Sequence, residues 1–124
     1  MEIIIGGDFL KARVYCSGHL SCIFRVCLHD NVLRSGSRGA GIVVYEGVET
    51  SVEVCAGSGV TVNFNGKKAF CISFSMIKKM GVGKDKRIIV KHVMKLLIGA
   101  GFGVSGAVGV GICRDEIFSW CGYK

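Results

Sequence analysis

Apolar and polar positions along this chain change period several times, and each change predicts an element. Ala12 to Tyr15 and Cys22 to Leu28 are apolar-rich segments on either side of Ser17-Gly18-His19, which reads as a turn between two strands. Ile42 to Val48 is a third strand candidate, followed by Thr50 to Cys55, where polar and apolar residues alternate. Val60 to Phe64 and Lys67 to Phe74 flank Asn65-Gly66, a two-residue hairpin signal because both residue types tolerate positive φ. Farther on, Ile88, Ile89, Val93, Leu96 and Leu97 recur at helical spacing. Asp85 stands where an N-cap would, so a helix is expected from there to about Ile98. A second helix is expected after Ser105, carrying Ala107, Val108 and Ile112. These elements make an α+β chain, a mostly antiparallel sheet with two helices. No linker, low-complexity tract or repeat divides it, so residues 1–124 read as one domain.

The least ordinary stretch is Gly99-Ala-Gly-Phe-Gly-Val-Ser-Gly-Ala107, uncharged and glycine-dense. Closely spaced glycines let backbone turn tightly and approach a ligand with no Cβ in the way. Where such a loop opens a helix, its N–H groups and the helix dipole make a seat for phosphate. Gly99, Gly101, Gly103, Ser105, Gly106 and Ala107 are therefore the candidate phosphate contacts. Ser105 is placed either on a phosphate oxygen or a magnesium ion, or at the N-cap of the helix, and the two roles occupy one spot. The same run also reads as a flexible linker or a small-residue helix seam.

A second segment changes the weighing. Gly36-Ser-Arg-Gly-Ala-Gly41 lies between Ser17-Gly18-His19 and the glycine-rich run. This ordered trio resembles the amino-terminal half of archaeal pantoate kinases, members of the GHMP superfamily of small-molecule kinases. The resemblance runs from about Val14 to Gly111, and Gly36 to Gly41 and Gly101 to Ala107 carry it most closely. It implies a GHMP kinase amino-terminal domain, truncated, since such kinases are generally more than twice this length. The function it implies is ATP-dependent phosphorylation of pantoate to 4-phosphopantoate in coenzyme A synthesis, with ATP and Mg2+ as cofactors. The loop at Gly99 to Ala107 would wrap the ATP phosphates, with Ser105 as the magnesium contact. His19, Ser37 and Arg38 would line the acceptor side, where an arginine can fork onto a carboxylate. His19 is equally a residue that braces its turn through the backbone. No catalytic base is identifiable; Asp30 and Asp85 qualify only by chemical type.

The chain departs from the family pattern at two places. Ser17-Gly18-His19 stands where the family has Pro-Gly-His, and the chain contains no proline. The family also places a strand between helix and phosphate loop. Here Lys91 to Leu97 runs almost straight into Gly99, as if that strand were missing. The alternative function is thus a non-catalytic remnant, or the partner-binding half of a split kinase. The partners implied are pantoate and ATP, with either a homo-oligomer or a separate carboxyl-terminal half. A missing half is expected to leave apolar surface uncovered.

Composition narrows the remaining classes. The formal net charge is +7, but the cations are scattered, with no interleaved aromatic stacking residues, which argues against nucleic acid and suits anionic substrates. The seven cysteines are an odd number, and no basic leader precedes them, so they are read as reduced thiols of a cytoplasmic protein, Cys55, Cys71 and Cys113 as small buried hydrophobes. Cys16, His19, Cys22, Cys27 and His29 crowd one segment without the paired spacing of a structural zinc site. The uncharged run from Leu96 to Ile112 is at the short limit for a membrane span and is better explained as the glycine-rich loop.

Overall fold

A computed structural model describes residues 2–6, 9–68, 72–82 and 84–114. Six strands form one sheet in the order β1-β2-β3-β6-β4-β5. In chain order they are β1 (Glu2–Gly6), β2 (Phe9–Cys27), β3 (Gly36–Ala56), β4 (Gly59–Phe64), β5 (Lys67–Lys68) and β6 (Lys86–Met94). Helix α1 (Ile72–Lys79) lies between β5 and β6, and α2 (Val104–Arg114) follows β6. Every strand pairing is antiparallel except β4 with β6, which α1 makes possible by carrying the chain back across the sheet. This is the α+β arrangement, a mostly antiparallel mixed sheet with two helices.

One face of the sheet is apolar and carries both helices. Val48, Val52 and Val54 of β3 alternate with exposed or half-buried residues, and Ile88, Val90 and Met94 of β6 do the same. Ala12, Val62, Ile77 and Ile112 close one cluster around them. Val48, Met94, Val104, Ala107 and Val108 form a second cluster beneath α2. Burying an aliphatic side chain such as Ile112 contributes roughly 1.5–3 kcal/mol, so α2 is held by its inner face. The opposite face is solvated: Lys11 and Lys91 converge on Glu53 at 2.8 and 3.4 Å, and Arg13 reaches Glu49 at 3.6 Å.

Several expectations need correction. The segment expected as a helix from Asp85 is strand β6, and Asp85 lies in a bend before it. Its inward residues follow period two (Ile88, Val90, His92, Met94), and β6 sits between β3 and β4, where a strand buried at the sheet centre is required. The strand that the sequence seemed to lack before the glycine-rich loop is therefore present. The helix lies earlier: α1 begins at Ile72, within the segment expected to be a strand to Phe74, and among the described residues of that segment only Lys67–Lys68 pairs.

Ser17-Gly18-His19 is not a turn either. It lies inside β2, with a register irregularity against β3 between Ser17 and His19. Likewise, Ile42 to Val48 and Thr50 to Cys55 are parts of the single strand β3. The Asn65-Gly66 turn forms as expected, with φ of 44° and 81°. Of the cysteines read as buried, Cys55 is half-buried, Cys113 is exposed, and Cys71 lies outside the described residues.

Candidate functional site

The glycine-rich run connects β6 to α2, as a phosphate-binding loop requires. Gly99, Gly101 and Gly103 adopt φ of 82°, 83° and 65°, a region that side chains with a Cβ rarely enter. Beside Gly99 and Gly101 there is open space where a Cβ would stand. Together with Phe102, Gly103, Val104 and Ser105 they line a shallow cavity of about 230 Å³. A bound anion would rest against bare backbone there.

The start of α2 supplies the donors. The Ala107 N–H donates to the Gly103 carbonyl at 3.0 Å, which makes Gly103 the helix cap. The N–H groups of Val104, Ser105 and Gly106 then precede the first intrahelical bond and have no acceptor within the helix. No acidic residue occupies the first turn, so nothing there offsets the positive end of the helix dipole. Ser105 is an exposed residue of that first turn rather than its N-cap, and Gly106 beside it is exposed too. Ala107 has a different part: its N–H is used within the helix and its methyl is buried in the core.

His19 is brought directly to this loop. Its N–H donates to the Phe102 carbonyl at 3.1 Å. Its imidazole lies so close to the Gly103 α-carbon that any Cβ there would overlap the ring. The Nε2 atom of the ring is 3.4 Å from Ser21 Oγ. Gly18, one residue earlier, faces Leu96 and the Phe102 carbonyl, again with no room for a side chain. Ser17-Gly18-His19 thus serves as the support on which the glycine-rich loop rests.

Ser37 and Arg38 are not brought to the loop. They pair with Val26 and Arg25, while His19 pairs with Val43. Arg38 stands five steps along the strand from Val43, roughly 17 Å at about 3.3 Å per residue. Both are exposed, on a two-stranded ribbon of β2 and β3 that projects past the point where β6 stops pairing.

The fit of the cofactors can be tested against these donors. Free N–H groups, open glycine faces and a serine hydroxyl suit a phosphate. For magnesium the chain supplies less: no group of three or more His, Cys, Asp or Glu side chains converges among the described residues. Lys95, after β6, is paired with Glu46 at 3.8 Å. Among the described residues, no helix is long and apolar enough to cross a membrane.

Sequence reasoning missed the most buried polar constellation among the described residues. His92 on β6 is fully buried, with Nδ1 2.9 Å from Thr50 Oγ1 and Nε2 2.7 Å from Ser73 Oγ. The Phe64 ring stacks beside it, centroids 4.6 Å apart. Burial lowers the His92 pKa from 6.5 to about 4. The signal was available: His92 shares the parity of Ile88, Val90 and Met94, but that parity shows only once the segment is read as a strand.

With this geometry the likenesses to known proteins become informative. A phosphotransferase related to the CoA biosynthesis pathway superposes with a TM-score of 0.68, over 91% of this chain and 40% of that one, at 23% identity. The chain shares the fold of part of that protein, and its sequence is similar to pantoate kinases. Over 97 residues, 75% of the chain, it is 36% identical to a pantoate kinase of Methanocaldococcus jannaschii, covering 34% of that protein. Over 108 residues, 84% of the chain, it is 29% identical to a pantoate kinase of Methanospirillum hungatei, covering 37% of it. The chain therefore spans about a third of the length of the curated relatives it matches. No family model matches it. Among the described residues, the glycine-rich loop and the start of α2 are the part best equipped to hold an anion.

Proposed function

We propose that this chain is the nucleotide-binding portion of a pantoate kinase, its glycine-rich loop cradling the phosphates of ATP for transfer to the pantoate hydroxyl. The observation that carries the reading is the loop itself. Three positive-φ glycines lead into α2, whose first three N–H groups have no intrahelical acceptor and whose Ser105 faces solvent. Phosphoryl transfer depends mainly on positioning and charge neutralisation, which preorganised backbone donors supply. In this reading Gly99, Gly101, Gly103 and Gly106 leave room for the phosphates and Ser105 donates to one of them. His19 fixes the loop from behind. Ser105 would be the chain's own contact to a magnesium ion, whose charge would offset that of the triphosphate.

The acceptor side is proposed at Ser37 and Arg38 by likeness to the pantoate kinases. Their separation from the loop favours a second reading for the whole reaction: the chain acts with a polypeptide that supplies the remainder of the acceptor pocket.

Titration calorimetry with Mg-ATP tests the binding half, with Ser105→Ala as the comparison. Losing a hydrogen bond to a charged phosphate should weaken binding by about tenfold or more. Equal affinity of both proteins would remove Ser105 from the site, and no binding by either would remove the loop assignment. Incubation with Mg-ATP and pantoate then asks whether the chain alone makes phosphopantoate. Product would sink the two-polypeptide reading.

A further inference from the structure

Bracing the glycine-rich loop does not require a histidine. The hydrogen bond to the Phe102 carbonyl comes from the His19 backbone N–H, which any residue but proline could supply. The side chain adds something else. Its Nδ1–Cε1 edge lies where a Gly103 Cβ would stand, so the ring rests against the residue that caps α2. The next three residues carry the N–H groups that have no acceptor within the helix. The imidazole is exposed, which lets it exchange protons with solvent. Its Nε2 meets Ser21 Oγ at 3.4 Å, and a hydroxyl oxygen accepts from an Nε2–H in the neutral ring and in the cation alike.

No fixed charge beside the ring decides its state. Leu96 to Cys113, which includes the loop and nearly all of α2, contains no charged side chain. On β3, Val43 stands opposite His19, and the acid nearest along that strand, Glu46, is paired with Lys95 at 3.8 Å. Within β2 the neighbouring titratable groups are Tyr15, Cys16 and Cys22. The other two histidines are engaged elsewhere. His29 belongs to the ribbon tip, where its Nδ1 accepts from the Asn31 N–H, and His92 is buried between Thr50 and Ser73. What remains is the positive end of the helix dipole, a poor neighbour for an imidazolium, and an anion seated on the loop would reverse that repulsion.

We infer that anion capture by the loop is coupled to proton uptake at His19. A bound anion draws a proton from solvent onto the free ring nitrogen, and the imidazolium in turn holds the anion more tightly. By linkage the two effects are equal in size. No bond of the anion is made or broken. The coupling grows with the charge of the occupant, so it favours a polyphosphate over a monoanion such as a carboxylate. This inference rests on the nucleotide reading in one respect, that the loop holds an anion.

Inorganic sulfate is the probe, because its charge stays constant between about pH 7.5 and 6, where phosphate and imidazole both titrate. Calorimetric titration of the full chain at low ionic strength should show binding about two- to fivefold tighter at the lower pH, the size of effect one exposed charge has at a helix end. His19→Gln, whose amide does not titrate, should bind sulfate equally at both. A second measurement needs no variant: the ring C–H signals of the three histidines, followed by NMR over the same range. Sulfate should move the titration of the His19 signal to higher pH and leave His29 and His92 where they are. Sulfate binding without that movement, or a pH dependence that persists in His19→Gln, overturns the inference and leaves the nucleotide reading standing. No sulfate binding at either pH overturns both.

Discussion

Mild acid should destabilise this protein through His92. The imidazole is fully buried between Thr50 and Ser73, with both ring nitrogens occupied by hydroxyl oxygens. A neutral ring donates to one hydroxyl and accepts from the other. A protonated ring must donate to both, and it carries a charge into an environment with no acidic partner among these contacts. Its pKa in the fold is accordingly lowered from 6.5 to about 4, with burial as the cause.

The sign follows directly. Between those two values the unfolded chain takes up a proton at His92 and the folded chain does not, so stability falls as pH falls. Each unit is worth about 1.4 kcal/mol, and the interval from pH 6.5 to 4.5 removes roughly 2–3 kcal/mol. That is a large share of a stability that is typically about 5–15 kcal/mol for a domain. Glu53 acts lower. Its hydrogen bond to Lys11 is the main reason its pKa lies below 4.5, so its contribution persists above 4.5 and is lost beneath it.

Urea unfolding at pH 7 and pH 4.5 measures the loss, and His92→Gln provides the comparison because its amide stands in for Nε2 opposite Ser73 and does not titrate. The unaltered chain should lose roughly 2–3 kcal/mol more over this interval than the variant. Parallel losses in the two proteins would show that His92 is not the group responsible.

Two further substitutions probe the close approaches that hold the site. Gly103→Ala should cost roughly 1–3 kcal/mol, from its positive φ and from overlap with the His19 ring. Combining it with His19→Ala should recover part of that loss in thermal unfolding, and strict additivity would deny the contact. Gly111→Ala should destabilise by roughly 1–3 kcal/mol, because a Cβ there would stand 2.5 Å from Thr50 Oγ1 and push α2 off the sheet. An unchanged melting temperature would mean that α2 shifts freely.

What the sequence determined by itself is mostly local chemistry. The Asn65-Gly66 turn, the alternation along β3 and the helix after the glycine-rich run were legible because each depends on residues a few positions apart. The loop's glycines were legible for the same reason, since a need for positive φ is met by the residue in place. The segment Lys86 to Met94 was not. Its β-branched residues satisfy both a period near 3.6 and a period of two, so the pattern leaves helix and strand open.

Tertiary structure made that choice. A slot between β3 and β4 needs a strand with one face fully buried, and Ile88, Val90, His92 and Met94 fill it. The same applies to Ser17-Gly18-His19. Its glycine and serine suit a turn, yet it continues β2 since β3 pairs with it on both sides of the irregularity. The pairing of His19 with the loop some eighty residues later also belongs to this level. Only packing, by setting which distant segments must touch, could show that Gly103 is bare to admit a histidine.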